Sequence, residues 1–492
     1  MLRLLKRSTQ HASAVGKEQV RGVAAVSMAS MNSMKPEGDI SGSFASLSGK
    51  EAEPLPDRFR QLKLDLVRGH EDAVFASWKR LLATLRREND LVARKGPAIV
   101  PEVRFSNLDA DLQDNASEIR KRGVAVVRGV IPEDEARAFK YQIEEYNPQV
   151  IELYWSSPQI RARSHPAMLK TQTALMRSLW KTSDPNSLIS LSNPLCYADR
   201  LRIRQPGDAK FALGPHQDGG STERWEREGY GRGSVYDAVF RGDWESYDPF
   251  DASTRVDAVT SLYGGLGNCS MFRMWQGWLS MSRVAPREGT LLVNPLAKET
   301  TAYSLLRPFF RPIRPAKDLG DQRRYLEVEN WEFTAGEHMT SDLQGASPGH
   351  GQEFPDGQHP HLELDRTMVH VPQVRPGDYV IWHCDTIHAV DSVHKGFSDS
   401  SVLYIPVCPT TEASAAYVAR QREAFLQGTP GPDFPGGKGE SEHIARPTVD
   451  YVKKHSHPVG IQAMGLEKLV AVDDDTPGGR EAVARANRVL GF

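Results

Sequence analysis

RPGDYVIWHCDTIHAV, residues 375–390, sets a Pro-Gly-Asp turn before an apolar run of Tyr379, Val380, Ile381 and Trp382, and His388 follows a polar turn. A short apolar run bounded by turn residues is a strand signal. Further short runs of this kind occupy residues 196–410: YADRLRIRQ (197–205), SVYDAVF (234–240), MFRMWQGWLSMS (271–282), GTLLVNPL (289–296) and SVLYIPV (401–407). Gly, Pro and Asp turns divide them. Many short strands with few helical stretches between them predict a barrel or sandwich.

The companion stretch is GPHQDGGSTERW, residues 214–225. His216 and Asp218 are two apart, so on extended backbone both point to one face. An imidazole and a carboxylate on one face supply two of the three ligands of a 2-His-1-carboxylate metal site, the arrangement of non-haem Fe(II) oxygenases. HxD alone is a weak signal, and an ordinary polar turn explains it equally well. His388, 170 residues beyond Asp218 (388 minus 218), supplies the third ligand if the strands form a barrel. There, strands distant in sequence become neighbours. A facial triad leaves coordination positions open for a cosubstrate and O₂.

The ends of this region are helical. From Asp57 to about Arg94, apolar residues recur at spacings of three and four. GVAVVRGVIPEDEARAFKYQIEEYN (123–147) is a β-branched strand followed by a helix that begins at Pro132 with Glu133, Asp134 and Glu135 in its first turn. ASAAYVARQREAFL (413–426) and REAVARANRVL (480–490) are helical again, with a Pro/Gly loop, TPGPDFPGGKGE (429–440), between them. We divide the chain into a disordered leader (1–52), a helical prelude (53–100), a strand-rich domain with helical insertions (101–460) and a C-terminal helical extension (461–492). No internal repeat is present.

Composition narrows the function. The 492-residue chain carries a net charge of -2 and a pI near 6.7, which gives no reason to expect a nucleic-acid or membrane partner. At 39% hydrophobic and 25% charged residues it has a soluble globular profile, and no apolar run is long enough to span a bilayer. Cys196, Cys269, Cys384 and Cys408 are far apart and form no CxxC pair, as expected of reduced thiols in an intracellular protein. The first 35 residues carry six Arg or Lys against one acid, Glu18. That is the composition of a mitochondrial transit peptide or of a tail with no targeting role, so a cytoplasmic and a mitochondrial location both stay open.

The order GVAVVRGVIPEDEA, HxD (His216, Asp218), EGTLLVNP, then PGD-hydrophobics-His388 resembles the phytanoyl-CoA-hydroxylase-like branch of the iron(II)/2-oxoglutarate dioxygenases. Longer strings are more similar still to a fungal and bacterial family related to N-acetylglucosamine-inducible fungal proteins: GPHQDGGSTERW, FRMWQGWLSMS, RPGDYVIWHCDTIHAVD, SSVLYIPVCPTT and GPDFP. The resemblance covers about residues 100–460. It implies a mainly β protein with flanking α-helices around a double-stranded β-helix (jelly-roll) core. It also implies Fe(II) held by His216, Asp218 and His388, with 2-oxoglutarate as cosubstrate. The expected activity is that of a dioxygenase hydroxylating a small polar molecule with O₂.

The related hydroxylases carry an Arg roughly ten to fifteen residues after the distal His, paired with the far carboxylate of 2-oxoglutarate. Here AVDSVHKGFSDSSVLYIP follows His388, and its one cation is Lys395. Arg273, a charge within an otherwise apolar strand, is the first candidate for that role, Arg204 the second and Lys395 the third. A structural salt bridge explains Arg273 equally well. The PGD-to-His spacing of the family favours His388 over His383, which is expected beside the metal site, and His394 is a loop alternative. His359 and His361 are expected in a solvated loop, and Cys384 as a packed thiol. Glu223, Arg224 and Trp225 could line the pocket mouth, with packing the expectation for Trp225, and Glu288 belongs to a turn. Two rival readings stay open: a jelly-roll metalloenzyme that performs no oxidation, and a jelly-roll protein that binds a small acid without catalysis.

Overall fold

The computed structural model describes residues 40–47, 53–147, 153–210 and 212–492. Along them the strands are β1 (Glu102–Arg104), β2 (Val124–Arg128), β3 (Ser190–Leu195), β4 (Leu201–Arg204) and β5 (His216–Gln217). There follow β6 (Trp275–Ser280), β7 (Leu291–Val293), β8 (Phe310–Pro312), β9 (Trp331–Phe333) and β10 (Gln352–Glu353). The series closes with β11 (Val369–His370), β12 (Tyr379–His383), β13 (His388–Val390), β14 (Ser400–Tyr404) and β15 (Cys408–Thr410).

Two sheets carry most of these strands. The larger runs β1-β2-β12-β6-β14-β4 and the smaller β10-β5-β13-β7-β11, while β15 pairs β3 and β8 pairs β9. Among the strands of the described residues, β1 and β2 pair in parallel and the other pairs are antiparallel. The PGD strand, β12, is central, antiparallel to β2 on one side and to β6 on the other. Its two faces are both apolar, and the pleat sorts them. Tyr379 and Ile381 join Ala125, Val127 and Leu279 in a core shared with Phe139 of the helix Glu133–Tyr146 and Leu175 of the helix Pro166–Leu179. Val380 and Trp382 point the other way, into a core with Val124, Val126 and the β7 residues Leu291 and Val293. One face of the large sheet is therefore covered by helices and the other by the small sheet. The turn ahead of β12 needs its glycine: Gly377 has φ of 88°, and a Cβ there would lie 2.0 Å from the Ile131 carbonyl oxygen.

Helices contain more residues than strands, so the chain is a mixed α and β protein and not mainly β. The periodic prelude forms the helices Arg58–Val67 and Glu71–Lys95. The second has Glu71 and Asp72 in its first turn and Arg94 and Lys95 in its last, which complements the helix dipole. It buries Trp78 flat on Phe310, with ring centroids 4.2 Å apart. One expected strand is absent: in SVYDAVF, residues Asp237–Phe240 make a helical turn, because Val239 and Phe240 pack into the core on a turn and not on a sheet. The helices Glu412–Gln427 and Pro477–Leu490 meet in a third core, where Val418 and Phe425 lie with Val483 and Leu490. Of the expected leader, residues 40–47 form two 3-10 turns, and the rest lies outside the described residues. No helix among the described residues is long and apolar enough to cross a membrane.

Candidate metal centre

β5 and β13 are neighbours in the small sheet, and His216 and His388 are direct antiparallel partners in their register. Opposed Cβ atoms in such a pair lie about 4.5–5.5 Å apart. The two imidazoles consequently meet, with ring centroids 4.1 Å apart. Asp218 follows β5 two residues beyond His216 and turns its carboxylate to the same side. Its Oδ1 is 3.6 Å from His216 Nε2 and its Oδ2 is 3.5 Å from His388 Nε2. All three candidate ligands are thus brought together, their donor atoms within 4.8 Å of one another.

The donor set fits a divalent transition metal. Nδ1 of His216 lies 2.7 Å from the Gly214 carbonyl oxygen, and Nδ1 of His388 lies 3.0 Å from that of Thr386. A carbonyl only accepts, so each Nδ1 carries the hydrogen and each Nε2 presents its lone pair to the centre. Burial, then the facing His388, pushes the His216 pKa down to about 3, so its ring is neutral at physiological pH. Burial alone would raise Asp218. His388 and His216 in their protonated forms, and Arg273, outweigh it and hold the carboxyl well below the usual carboxylate range. Metal bonds of about 2.1 Å put neighbouring donors about 3 Å apart, so closing on an ion needs shifts of about half an ångström. The Gln276 amide donates to Asp218 Oδ2 and holds that carboxylate in place.

Between the two sheets lies a cavity of about 360 Å³ that His216, Asp218 and His388 line. Trp278, Trp382 and Val402 form apolar wall on the strands, and the turn containing Phe44 closes another side. Phe44 sets its ring edge-on to His216 at 4.9 Å. Its segment is held by the Ser43 carbonyl, which accepts from Gly351 N at 2.9 Å, and by Ser46 N donating to Glu353 Oε2 at 3.1 Å.

The candidate cations divide. Arg273 and Arg204 both line the cavity. Arg273 precedes β6 instead of lying within it, because the strand begins at Trp275. Its Nη2 is 3.9 Å from Asp218 Oδ2 and its Nη1 is 3.7 Å from Asp199 Oδ2. Arg204, on β4, is 1% exposed and donates from Nη1 to the Asp391 carbonyl at 2.8 Å and from Nη2 to that of Asp208 at 2.7 Å. Lys395 is exposed and does not line the cavity.

Burial corrects the expectations for His359, His361, Glu223 and Arg224, while Trp225 packs, Glu288 sits in a turn and His394 in a loop as expected. His359 and His361 are not in a solvated loop: each is 5% exposed, and His361 packs edge-on against Trp78 and Trp331. Glu223, Arg224 and Trp225 are buried away from the cavity, and Trp225 donates from Nε1 to the Leu305 carbonyl at 3.0 Å. His394 is buried within its loop, with Nε2 2.7 Å from the Ser398 carbonyl oxygen. Glu288 caps its turn by accepting from Ala285 N at 2.8 Å. His383, Cys384 and Asp385 also have donor atoms within 4.8 Å of one another. They make a poor metal site, since both His383 ring nitrogens have partners: Nε2 lies 3.0 Å from the Pro249 carbonyl oxygen and Nδ1 accepts from Asp385 N at 3.0 Å. His383 stacks on Trp180, with rings 10° from parallel.

Asp385 was not legible as a site residue, although it adjoins both histidines in the motif. It is fully buried and ties the two ligand-bearing segments together. Arg255 Nη2 is 2.6 Å from its Oδ2, and the Tyr236 hydroxyl donates to Oδ1 at 3.1 Å. Its backbone carbonyl accepts from Gln217, the residue between His216 and Asp218. Arg224 Nη2 lies 3.8 Å from its Oδ1 and donates to the Asp218 carbonyl at 3.4 Å. Gln276 did leave a sequence signal, as a polar residue inside the buried run WQGWLS.

Three comparisons place the chain among known proteins. Residues 53–466 match the family model described as Gig2-like. The crystal structure of GlcNAc Inducible Gene 2, GIG2, from Candida albicans is 32% identical, covers 90% of this chain and 97% of its own, and superposes with a TM-score of 0.78. A Salmonella typhimurium LT2 protein whose structure is named "Putative Oxidoreductase" is 29% identical over 85% of this chain and 99% of its own, with a TM-score of 0.69. The Escherichia coli K12 protein YbiU, described as uncharacterized, is 28% identical over 436 residues, 83% of this chain and 96% of its own. A match over this span, on a chain whose motif residues converge on one cavity, shows that the chain belongs to the Gig2-like family.

Proposed function

We propose that this chain is an Fe(II)- and 2-oxoglutarate-dependent oxygenase that hydroxylates a small polar molecule, with His216, Asp218 and His388 as the metal ligands. The observation that carries the reading is the registered pair of histidines, locked by backbone carbonyls so that both Nε2 atoms face one carboxylate at the edge of a cavity. The strand orders support a double-stranded β-helix of the phytanoyl-CoA-hydroxylase-like type, with β4-β14-β6-β12 facing β5-β13-β7-β11. When bound, Fe(II) with 2-oxoglutarate and O₂ supplies the oxidation, the cosubstrate leaving as succinate and CO₂ while a substrate C–H becomes C–OH.

The residues of the chain position and exclude. Protein ligands on one face leave the cavity side open to reactants. Gln276 and the carbonyls of Gly214 and Thr386 fix the ligand orientations. Phe44 and the tryptophan-lined wall keep water from the centre. Arg204 suits the far carboxylate of the cosubstrate better than Arg273. Its partner Asp391 lies three residues past His388, about 10 Å along extended chain, the reach a five-carbon diacid needs when its other end is at the metal. Arg273, 3.9 Å from the Asp218 carboxylate, is too near the metal for that role.

Anaerobic titration of the protein with Fe(II) and then 2-oxoglutarate tests the reading through the weak visible charge-transfer band of the chelate. The band appears in wild type after both additions and is absent in His216→Ala. Iron bound without a band refutes the oxygenase and leaves a non-oxidative metalloenzyme; no iron bound leaves a small-acid-binding protein.

A further inference from the structure

With Arg204 assigned to the cosubstrate, the cavity holds a second cation without a task. Arg273 is largely but not fully enclosed, its side chain 12% exposed and turned to the cavity, and no described residue hydrogen-bonds its guanidinium. The nearest acceptors are the Asp199 and Asp218 carboxylates at 3.7 and 3.9 Å, beyond good hydrogen-bond reach. Each carboxylate also has other partners: Asp199 Oδ1 lies 3.3 Å from Arg200 Nε, while its Oδ2 faces Arg273, and Asp218 takes the Gln276 amide and faces the two histidines. The Tyr197 ring, 5.3 Å from the guanidinium carbon, supports it from one side. A guanidinium turned into a cavity with two carboxylates near it but no hydrogen bond made keeps donors free for an incoming oxyanion.

Charge points the same way. Among the cavity-lining side chains, Arg200, Arg202, Arg204 and Arg273 stand against Asp199 and Asp218. Asp199 offsets Arg200, and the Asp208 carboxylate, 3.5 Å from Arg204 Nε, offsets Arg204. A divalent metal adds two positive charges and the cosubstrate two negative ones. Arg202, Arg273 and Asp218 then remain, a net charge of one positive.

We propose that Arg273 is the binding and specificity residue for the primary substrate, which is a small anion presenting a carboxylate or phosphate-type group to the guanidinium fork beside the metal. The fork matches either oxyanion bidentately. The position, within 4 Å of a metal ligand, holds the anionic group so that the neighbouring carbon faces the open coordination side. Size is limited as well. At about 360 Å³ the cavity is near the lower bound of about 300 Å³ for ligand pockets, and cosubstrate and substrate share it. Tyr197, Trp278 and Phe434 line the wall and suit a short apolar segment beside the anion. This inference rests on the oxygenase reading for the metal and the cosubstrate, but the anion subsite itself depends only on Arg273.

The test uses the full chain loaded with Mn(II) and saturating 2-oxoglutarate, with thermal unfolding followed against sulfate or acetate at constant ionic strength. Either anion raises the wild-type midpoint. Arg273→Gln shifts the half-saturating concentration up at least tenfold and leaves 2-oxoglutarate affinity within about threefold, and Arg273→Lys, which keeps the charge without the fork, falls between. A stronger response to acetate identifies a carboxylate substrate, and one to sulfate a phosphate-type ester. The proposal is overturned if neither anion acts on wild type, if Arg273→Gln responds like wild type, or if Arg273→Gln loses 2-oxoglutarate binding, which makes Arg273 the cosubstrate anchor. If wild type fails to bind 2-oxoglutarate at all, the oxygenase reading fails. The same anion titration with Mn(II) alone then decides the subsite by the same criteria.

Discussion

Replacing Asp385 by Asn changes one oxygen to an NH₂ group and tests whether a buried ion cluster holds the metal centre together. Every polar neighbour of this carboxylate is a donor. Arg255 Nη2 lies 2.6 Å and the Tyr247 hydroxyl 3.4 Å from Oδ2, and the Tyr236 hydroxyl lies 3.1 Å from Oδ1. Turned one way, the Asn NH₂ meets the donor-only Arg255 guanidinium; turned the other, it can donate to the Tyr236 hydroxyl, and in both cases the charge is gone. Arg255 and Arg224, with side chains 2% and 1% exposed, are then left without their carboxylate. Removing one partner of a buried ion pair costs about 3–5 kcal/mol, a large part of a typical stability of about 5–15 kcal/mol.

The sign with pH is definite. Burial works against the Asp385 charge, but Arg255, His383 and Arg224 outweigh it and hold the pKa below the ordinary aspartate value of 3.8. Its contribution is therefore present above that value and lost as pH falls below it, so an assay at pH 7 senses the whole effect. Urea unfolding followed by tryptophan fluorescence should give the 3–5 kcal/mol loss. Asp385→Asn with Arg255→Met should lose less than the sum of the single changes, since the pair is removed together. Because the Asp385 carbonyl holds Gln217 and its carboxylate faces Arg224, Fe(II) affinity should also fall about 10–100-fold, as for other outer partners of metal ligands. A loss below about 1 kcal/mol with unchanged metal affinity would refute the idea that this cluster positions the ligands.

Three further outcomes are expected. Burial first, and then the Arg307 charge, pushes the His361 pKa down to about 3, so the folded chain keeps it neutral while the unfolded chain protonates it below about 6.5. Stability should therefore fall as pH drops through that window, and His361→Leu should flatten the slope by about 1.4 kcal/mol per pH unit between about pH 6 and 4; an unchanged slope means the ring is not buried in its neutral form. Phe44→Ala removes an edge-on aromatic contact worth about 0.5–1.5 kcal/mol, so hydrogen exchange in residues 40–47 should quicken about 2–10-fold, and exchange already at the unprotected rate in wild type counts against the strap. Gln276→Leu leaves one Asp218 oxygen without its amide and should weaken Fe(II) binding about 10–100-fold with little change in the unfolding midpoint, as measured by anaerobic titration.

Much of this was legible in the amino-acid order because it is local. Short apolar runs bounded by turn residues mark β2, β4, β6, β7, β12 and β14, and the spacing of His216 and Asp218 puts both on one side of an extended chain whatever surrounds it. SVYDAVF failed as a strand because a short apolar run serves a helical turn equally well, and only packing separates the two. What the order of residues could not decide is pairing. His388 opposes His216 because β13 sits between β5 and β7, a register set by which apolar faces the two sheets bury against each other. The same holds for charge. Arg273, Arg204 and Lys395 are alike as letters, and their different surroundings follow from elements far away in sequence: Asp218 and Asp199 beside the first, the carbonyls of Asp391 and Asp208 around the second, and solvent around the third. Sequence alone determined which residues could bind a metal, since donor chemistry and i, i+2 geometry belong to the chain itself. The tertiary structure alone decided which of them meet and which cations face the cavity, because long-range contact is set by burial summed over the whole fold.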